Sequence, residues 1–376
     1  MRFLYVHIPF CVKKCNYCDF VSGKSSPKER RDYIELLKKE ASLYQDERPE
    51  DGLLTIYFGG GTPSLLSVAQ IEELLAAFKE YFGFASSMEI TLEANPESVS
   101  RRYLKQLKRS GVNRLSFGVQ SFQNHHLKAM GRLHRSEDAI KAVNDAADIG
   151  FENINIDLIY GLPAQTLEEW RESLEKAVSL PVKHISTYGL KLSEKTVWGK
   201  LAAEGRLTLP DQDDNADMQL FAMDFLEENG FPRYEIANFA VPGYPCRHNT
   251  AYWLRKDYLG LGLNASSLFA GKVRAVNESD FALYRQKIKN ASLPRASREK
   301  LSKDEIREEE LFLPLRTIWG LDIAAFSRKY GSDFFAQKKG QMVKLFNAGL
   351  LVFEDGQLKL TKKGVLLNNE VLSTFI

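Results

Sequence analysis

No run in this 376-residue sequence approaches the roughly 18 consecutive apolar residues that a membrane-spanning helix needs, so no transmembrane segment is expected. An excess of one charge is missing too. Lysine and arginine number 51 against 49 acids, a net charge of +2. That balance leaves no electrostatic footprint for nucleic acid or an anionic lipid surface. Cysteine is scarce: four residues, unevenly spaced, do not make a disulfide-built scaffold. Low-complexity tracts are absent, and 44% hydrophobic with 27% charged residues excludes a disordered chain. The opening M-R-F-L-Y-V-H-I-P-F-C carries one charged side chain, a short apolar run and no small-residue cleavage site. It reads as a strand rather than a secretion signal, and the cytoplasm is the expected compartment.

What is present is a cluster of thiols. Cys11, Cys15 and Cys18 fall within C-V-K-K-C-N-Y-C, while Cys246 stands alone. Cys15 and Cys18 have redox-pair spacing, but a redox pair does not explain the third cysteine. A structural zinc site needs four ligands, and His7 or Cys246 could complete one. The third reading is an iron–sulfur cluster. Four irons held by three thiolates leave one iron without a protein ligand, where a substrate or cofactor can coordinate.

Six strand–helix units follow one another. Strands are expected near Phe3–Pro9, Leu53–Phe58, Met88–Asn95, Arg114–Gln120, Asn153–Tyr160 and His184–Leu190. Capping boxes start helices at Ser26 with Glu29, Ser67 with Gln70 and Thr166 with Glu169. Such alternation implies an α/β fold with a parallel sheet and helical crossovers. Six units fit a barrel short of the usual eight strands, with a doubly wound sheet as the alternative. Residues 1–232 form this unit, 233–300 break its rhythm as a connecting region, and 301–376 form a small C-terminal domain. That last domain has a turn at Asp355–Gly356 and the outline of a winged helix. Its eleven Lys/Arg and ten Asp/Glu argue against DNA binding.

In either sheet, chemistry belongs at the carboxyl ends of the strands. The cysteines follow the first strand and Gly59-Gly60-Gly61 the second. Glu93 and Asn95 end the third, Gln120 the fourth, Asp157 and Tyr160 lie near the end of the fifth, and Tyr188 ends the sixth. The glycines permit a ligand, or simply a tight turn. Glu93 and Asp157 could hold hydroxyl or amino groups, or form internal salt bridges. Arg132 is the least specific of these residues, and Tyr17 offers a flat ring between two cysteines.

C-V-K-K-C-N-Y-C is similar to the C-x-x-x-C-x-x-C signature of the radical S-adenosylmethionine (radical SAM) superfamily, and G-G-G-T-P-S resembles its methionine-binding glycine motif. Y-V-H-I-P-F-C, E-A-N-P-E, F-G-V-Q-S-F and N-I-D-L-I-Y-G-L-P resemble the oxygen-independent coproporphyrinogen III oxidase (HemN-like) group. Within that group the chain most resembles the HemW-type haem chaperones, along nearly its whole length. The resemblance implies a partial (β/α)6 radical SAM barrel with a small α+β winged-helix-like domain of the HemN type. It implies a [4Fe–4S] cluster on Cys11, Cys15 and Cys18. It also implies S-adenosylmethionine contacts from Tyr5, Gly60, Gly61, Thr62 and Glu93, and contacts to a second such molecule from Tyr17, Gln120, Arg132 and Asp157.

Two features set the chain apart from the oxidases: Phe20 replaces their further cysteine, and the first strand starts at Met1 where they carry an extension. H-N-T-A-Y-W, residues 248–253, is similar to the H-N-x-x-Y-W pattern of the haem chaperones. It implies His248 as a haem ligand, with Tyr252 and Trp253 as flat surfaces, Cys246 as an alternative ligand, and Arg233, Arg247 and Arg255 as propionate partners. The expected function is haem delivery to an apo-haemoprotein, such as a membrane respiratory subunit, with an electron donor for the cluster. The alternative is a radical SAM enzyme that oxidatively decarboxylates a porphyrinogen.

Overall fold

The structure, a computed structural model, describes residues 1–375. Strands β1 (Phe3–Ile8), β2 (Leu53–Gly60), β3 (Phe84–Ala94), β4 (Arg114–Gln120), β5 (Asn153–Tyr160) and β6 (His184–Gly189) run parallel and lie side by side in chain order. No strand order reverses among them. A doubly wound sheet requires such a reversal, so the sheet is the partial (β/α)6 barrel, with its crossover helices on one face.

The residues dictate which face is which. Along β1, Leu4, Val6 and Ile8 are fully buried in one apolar core with Tyr33, Ile34 and Leu37 of helix α1 (Pro27–Ser42). Phe58 of β2 packs on Phe78 of α2 (Val68–Phe82), ring centroids 6.4 Å apart. The alternate residues face inward and are polar. Tyr5 pairs in register with Tyr57, and Tyr57 with Thr91; Glu93 pairs with Ser116 and Ser116 with Asn155; Asp157 pairs with Ser186. A barrel interior is ordinarily filled with branched apolar side chains, so this polar lining marks an inner surface built for a ligand.

The remaining barrel helices are α3 (Arg101–Arg109), α4 (Asn124–Met130), α5 (Ser136–Asp148), α6 (Leu167–Ser179), α7 (Val197–Ala203) and α8 (Gln212–Glu228). All three capping boxes named above are present, at Ser26, Ser67 and Thr166. Two short helices, α4 and α7, have no counterpart in the sequence reading. Each is seven residues long, too short for a clear amphipathic period.

Residues 233–300 are built into the same sheet. Strand β7 (Asn238–Ala240) adds antiparallel to β6, and helix α9 (Arg247–Trp253) follows. Strand β8 (Tyr258–Leu261) joins β1 in parallel. Strands β9 (Ser266–Phe269) and β10 (Val273–Asn277), then helix α10 (Phe281–Lys289) and β11 (Arg295–Lys300), extend that edge antiparallel to give eleven strands. The C-terminal unit runs α11 (Lys303–Leu315), β12 (Leu321–Asp322), α12 (Ile323–Tyr330), α13 (Asp333–Asn347), β13 (Leu351–Glu354) and β14 (Gln357–Leu360). Its order and its three-stranded antiparallel sheet are those of a winged helix. Asp355 and Gly356 make the hairpin turn with φ of 52° and 79°.

Candidate functional site

The cysteines occupy the loop after β1, and backbone hydrogen bonds shape that loop. Cys11 N–H donates to Gly23 O at 2.8 Å and Gly23 N–H to Pro9 O at 2.9 Å, closing its base. Its tip is held by the two short helices. Asn16 N–H donates to Met130 O and Trp198 N–H to Asn16 O, both at 2.9 Å. The Tyr17 ring lies 5.9 Å from that of Trp198, against a small apolar cluster that includes Leu127 and Ile159. Burial raises its hydroxyl pKa, so the ring is a neutral wall beside the thiols.

A chain of polar groups spans two of the sulfurs. Thr62 Oγ1 donates to Cys11 Sγ at 3.6 Å and accepts from Asn95 Nδ2 at 3.1 Å. Asn95 Oδ1 accepts from Arg132 Nη2 at 2.7 Å, and Arg132 Nη1 donates to Cys15 Sγ at 3.7 Å. Arg132 Nη2 also donates to Gly118 O. Arg132 is thus a fixed cation at the thiols rather than a surface residue. Its buried Nε has no partner among the described residues, an open donor that suits an anionic or acceptor group of a ligand. Asn95 was legible only as a rim residue; its bridging role needs the fold.

The glycine run has both a packing role and a site role. A Cβ on Gly61 would come within 2.7 Å of Phe10 O, and one on Gly60, whose φ is +112°, within 2.4 Å of the His7 ring. Both positions therefore require glycine for β1 and β2 to lie together. Gly60 N–H also donates to Glu93 Oε2 at 3.0 Å, and Tyr57 OH to Glu93 Oε1 at 2.8 Å. Burial, then the nearby Asp157, pushes the Glu93 carboxyl up to about 7. Asp157 accepts from Asn155 Nδ2 at 2.9 Å and Ser116 Oγ at 3.0 Å, and burial raises it above the ordinary carboxylate range. Gln120 sits at a β-bulge between β4 and β5 with φ of +68°; a non-glycine residue held there is strained, as at many ligand sites. Tyr5 OH lies 3.1 Å from His7 Nδ1, which leaves the imidazole of His7 tied into β1 and the loop through Val21 O.

His248 adjoins these groups, its ring centroid 5.2 Å from that of Tyr57 and 6.4 Å from that of Tyr5. Helix α9 packs across the inner face of β2, its first N–H groups held by Glu89, which accepts from Arg247 N and His248 N at 3.3 Å. His248 Nδ1 is 2.6 Å from Thr55 Oγ1 and Nε2 is 2.8 Å from Tyr252 OH. Both ring nitrogens are therefore engaged, and the residue is buried. Burial, then the nearby Arg114, lowers its pKa to about 3, so it stays neutral. Cys246 is buried beside Glu89, and burial pushes its thiol up to about 12, which makes it unreactive. Arg247 donates to Ser87 O at 2.6 Å, on the outside of the molecule.

Among the described residues, His125, His126 and Glu169 bring ligand-type atoms within 4.8 Å of one another. Three thiols on one loop, a fixed cation beside them and a polar barrel rim fit a multinuclear cluster with a small polar cofactor next to it.

Residues 5–177 match the Radical SAM superfamily and residues 301–367 the HemN C-terminal domain. Fold and site together define a radical SAM barrel with a HemN-type appended domain. The chain is 39% identical to the protein named heme chaperone HemW of Lactococcus lactis, over 99% of this chain and 96% of that one. It is 37% identical to the HemW of Bacillus subtilis, over 100% and 99%. The solved structure of the Escherichia coli coproporphyrinogen III oxidase HemN is similar at a TM-score of 0.86 and 27% identity, covering 99% of this chain and 89% of that one. The chain belongs to the HemW haem chaperone family of the radical SAM superfamily. None of its helices, among the described residues, is long and apolar enough to cross a membrane.

Proposed function

We propose that this protein is a haem chaperone that binds a [4Fe–4S] cluster, S-adenosylmethionine and haem, and passes haem to an apo-haemoprotein. The observation that carries this reading is the end-to-end likeness to haem chaperones, with no domain of the chain left outside the match.

Cys11, Cys15 and Cys18 hold the cluster, which supplies low-potential electrons and an open iron for the cofactor. Thr62 and Arg132 donate to two of the thiolates and set their charge. Tyr5, Gly60, Gly61, Thr62 and Glu93 hold S-adenosylmethionine at the rim of β1–β3. Tyr17, Gln120, Arg132 and Asp157 are the contacts for a second molecule of the cofactor. His248 would ligate the haem iron, its Nε2 freed from the Tyr252 hydroxyl and its ring oriented by the Thr55 contact. The acceptor is a cytoplasm-facing haemoprotein, such as a membrane respiratory subunit, and a cellular reductant serves the cluster. Residues 1–232 act as the cofactor barrel, 233–300 as the haem-binding extension and 301–376 as the HemN-type domain.

A second reading, a radical enzyme acting on a porphyrinogen, is favoured by the intact rim of Glu93, Gln120, Arg132 and Asp157. Phe20, in place of the oxidases' cysteine, favours the chaperone. The deciding experiment is anaerobic cluster reconstitution followed by separate assays of haem titration, haem transfer to an apo-haemoprotein, 5′-deoxyadenosine formation and coproporphyrinogen turnover. Haem uptake and transfer without coproporphyrinogen decarboxylation are expected. Steady decarboxylation with no haem binding would replace the first reading by the second.

A further inference from the structure

Beside the cysteine loop lies a cavity of about 670 Å³, whose wall includes Tyr5 but no other residue of the cofactor constellation. Asp19, Phe20 and Val21 of the loop form one side. Strands β8–β10 form the other, and Leu313 of α11 closes it from the C-terminal domain. Its size is within the roughly 300–1,000 Å³ of small-molecule pockets.

The chemistry of its walls is specific. Arg255, Lys256, Arg274 and Asp19 line it; Glu309 pairs with both arginines, and Glu310 lies 3.9 Å from Arg255. Arg255 is the informative one. Its side chain is only 9% exposed, and its Nε is paired with Glu309 at 2.8 Å. Its Nη2 is buried with no hydrogen-bond partner among the described residues. Its backbone is held at φ of +52°, an uncommon conformation for a residue with a side chain. A buried guanidinium with an open N–H is costly unless an acceptor meets it, and the planar fork matches a carboxylate. Arg274 is 2.8 Å from the same Glu309, which fixes a second guanidinium alongside.

The apolar part is aromatic. Tyr252 and Tyr258 meet edge to face, centroids 4.6 Å apart, and both line the cavity. Phe20 stands at its edge with 62% of its surface exposed. An exposed phenylalanine beside aromatic walls is a surface waiting to be covered.

We propose that this cavity binds the haem, with a propionate on Arg255, the second propionate near Arg274 and Lys256, and the macrocycle between Phe20 and the Tyr252–Tyr258 pair. This rests on the haem-chaperone reading and gives that reading its binding site. Of the three arginines that the sequence offered as propionate partners, the geometry selects Arg255: Arg247 is spent on Ser87 O and Arg233 is not in the cavity wall. Tyr252 also connects the cavity to His248, one hydrogen bond behind it.

The test uses the cluster-reconstituted full chain and three probes: ferric haem, metal-free protoporphyrin IX and ferric haem dimethyl ester. Titrations are followed by the Soret band or by porphyrin fluorescence. The wild type should bind protoporphyrin IX, though less tightly than haem because it offers no iron to His248, and should bind haem dimethyl ester at least tenfold more weakly than haem. Arg255→Gln should lose at least tenfold for the two acids and nothing for the ester. Arg255→Lys should recover only part of that loss, and Phe20→Ala should weaken all three probes. The ester arm needs no substitution, so it stands even if Arg255→Gln fails to fold. Equal binding of haem and ester, with Phe20→Ala silent, overturns the cavity assignment while leaving the chaperone reading intact. A wild type that takes up none of the probes fails both.

Discussion

Arg132 donates a hydrogen bond to the sulfur of Cys15 at 3.7 Å while its other nitrogen holds Asn95, and Asn95 in turn holds the threonine that donates to Cys11. A residue from the loop after α4 is thereby tied to the cysteine loop. A cationic donor on a thiolate favours the reduced, more negative cluster. Replacing Arg132 by Gln should therefore lower the cluster's reduction potential. The shift should be about 60 mV, equivalent to a tenfold change in a one-electron equilibrium. Redox titration followed by electron paramagnetic resonance reads this directly, and an unshifted potential would mean that the contact is not made once the cluster is bound.

The assignment of ligands separates the four cysteines. Cys15→Ala should abolish the cluster, measured as iron and sulfide per chain, because a second iron loses its protein ligand. Cys246→Ala should leave the iron and sulfide content unchanged, since that thiol is buried against Glu89. A cluster that needs Cys246 would move the site.

Cofactor binding at Glu93 should depend on pH. Its carboxyl titrates near 7, so it is mostly protonated at pH 6 and mostly ionised at pH 8. If the carboxylate accepts from S-adenosylmethionine, affinity should rise roughly tenfold across that interval. Glu93→Gln should bind more weakly and lose that slope in calorimetric titrations. A variant with wild-type affinity at pH 8 would place the cofactor elsewhere on the rim.

If His248 ligates haem iron, the Tyr252 hydroxyl at its Nε2 has to give way. Tyr252→Phe removes the hydrogen bond to Nε2. It should increase the low-spin, imidazole-ligated fraction of the Soret spectrum, whereas His248→Ala should abolish that fraction and leave the cluster in place. Identical haem spectra in both variants and the wild type would confine H-N-T-A-Y-W to a structural role.

Glu40 is a pH-sensitive element of the fold, remote from the cysteines. It is fully buried, accepting from Tyr284 OH and Asn277 Nδ2 at 2.6 Å and from Gly262 N at 2.8 Å. Burial outweighs these donors and pushes its carboxyl up from 4.5 to about 7. Between those values the unfolded chain releases the proton and the folded chain keeps it. Stability should fall as pH rises through that window and level off above it, by on the order of 3 kcal/mol. Urea unfolding at pH 5 and pH 8 should show the difference between Glu40→Gln and wild type shifting by that amount in the variant's favour. A difference that does not change with pH would rule the group out.

Local grammar by itself determined a large share of this protein. Capping boxes at Ser26, Ser67 and Thr166 and the alternation of apolar residues set where the main barrel helices begin and which strands exist, because these signals act within a few residues. The three clustered cysteines and the polar residues at strand ends were legible for the same reason: function-bearing positions in a parallel sheet follow from chain order. Only the tertiary structure decided the rest. Strand order separated the barrel from a doubly wound sheet, because periodicity does not say which strands are neighbours. It gave α4 and α7, too short to show a period, the task of holding the cysteine loop. It turned 233–300 from a break in rhythm into five strands on both edges of the sheet. It engaged both nitrogens of His248, and it left one buried nitrogen of Arg255 without a hydrogen-bond partner among the described residues. These are long-range contacts between segments remote in sequence, and no local pattern encodes which donor meets which acceptor across the fold.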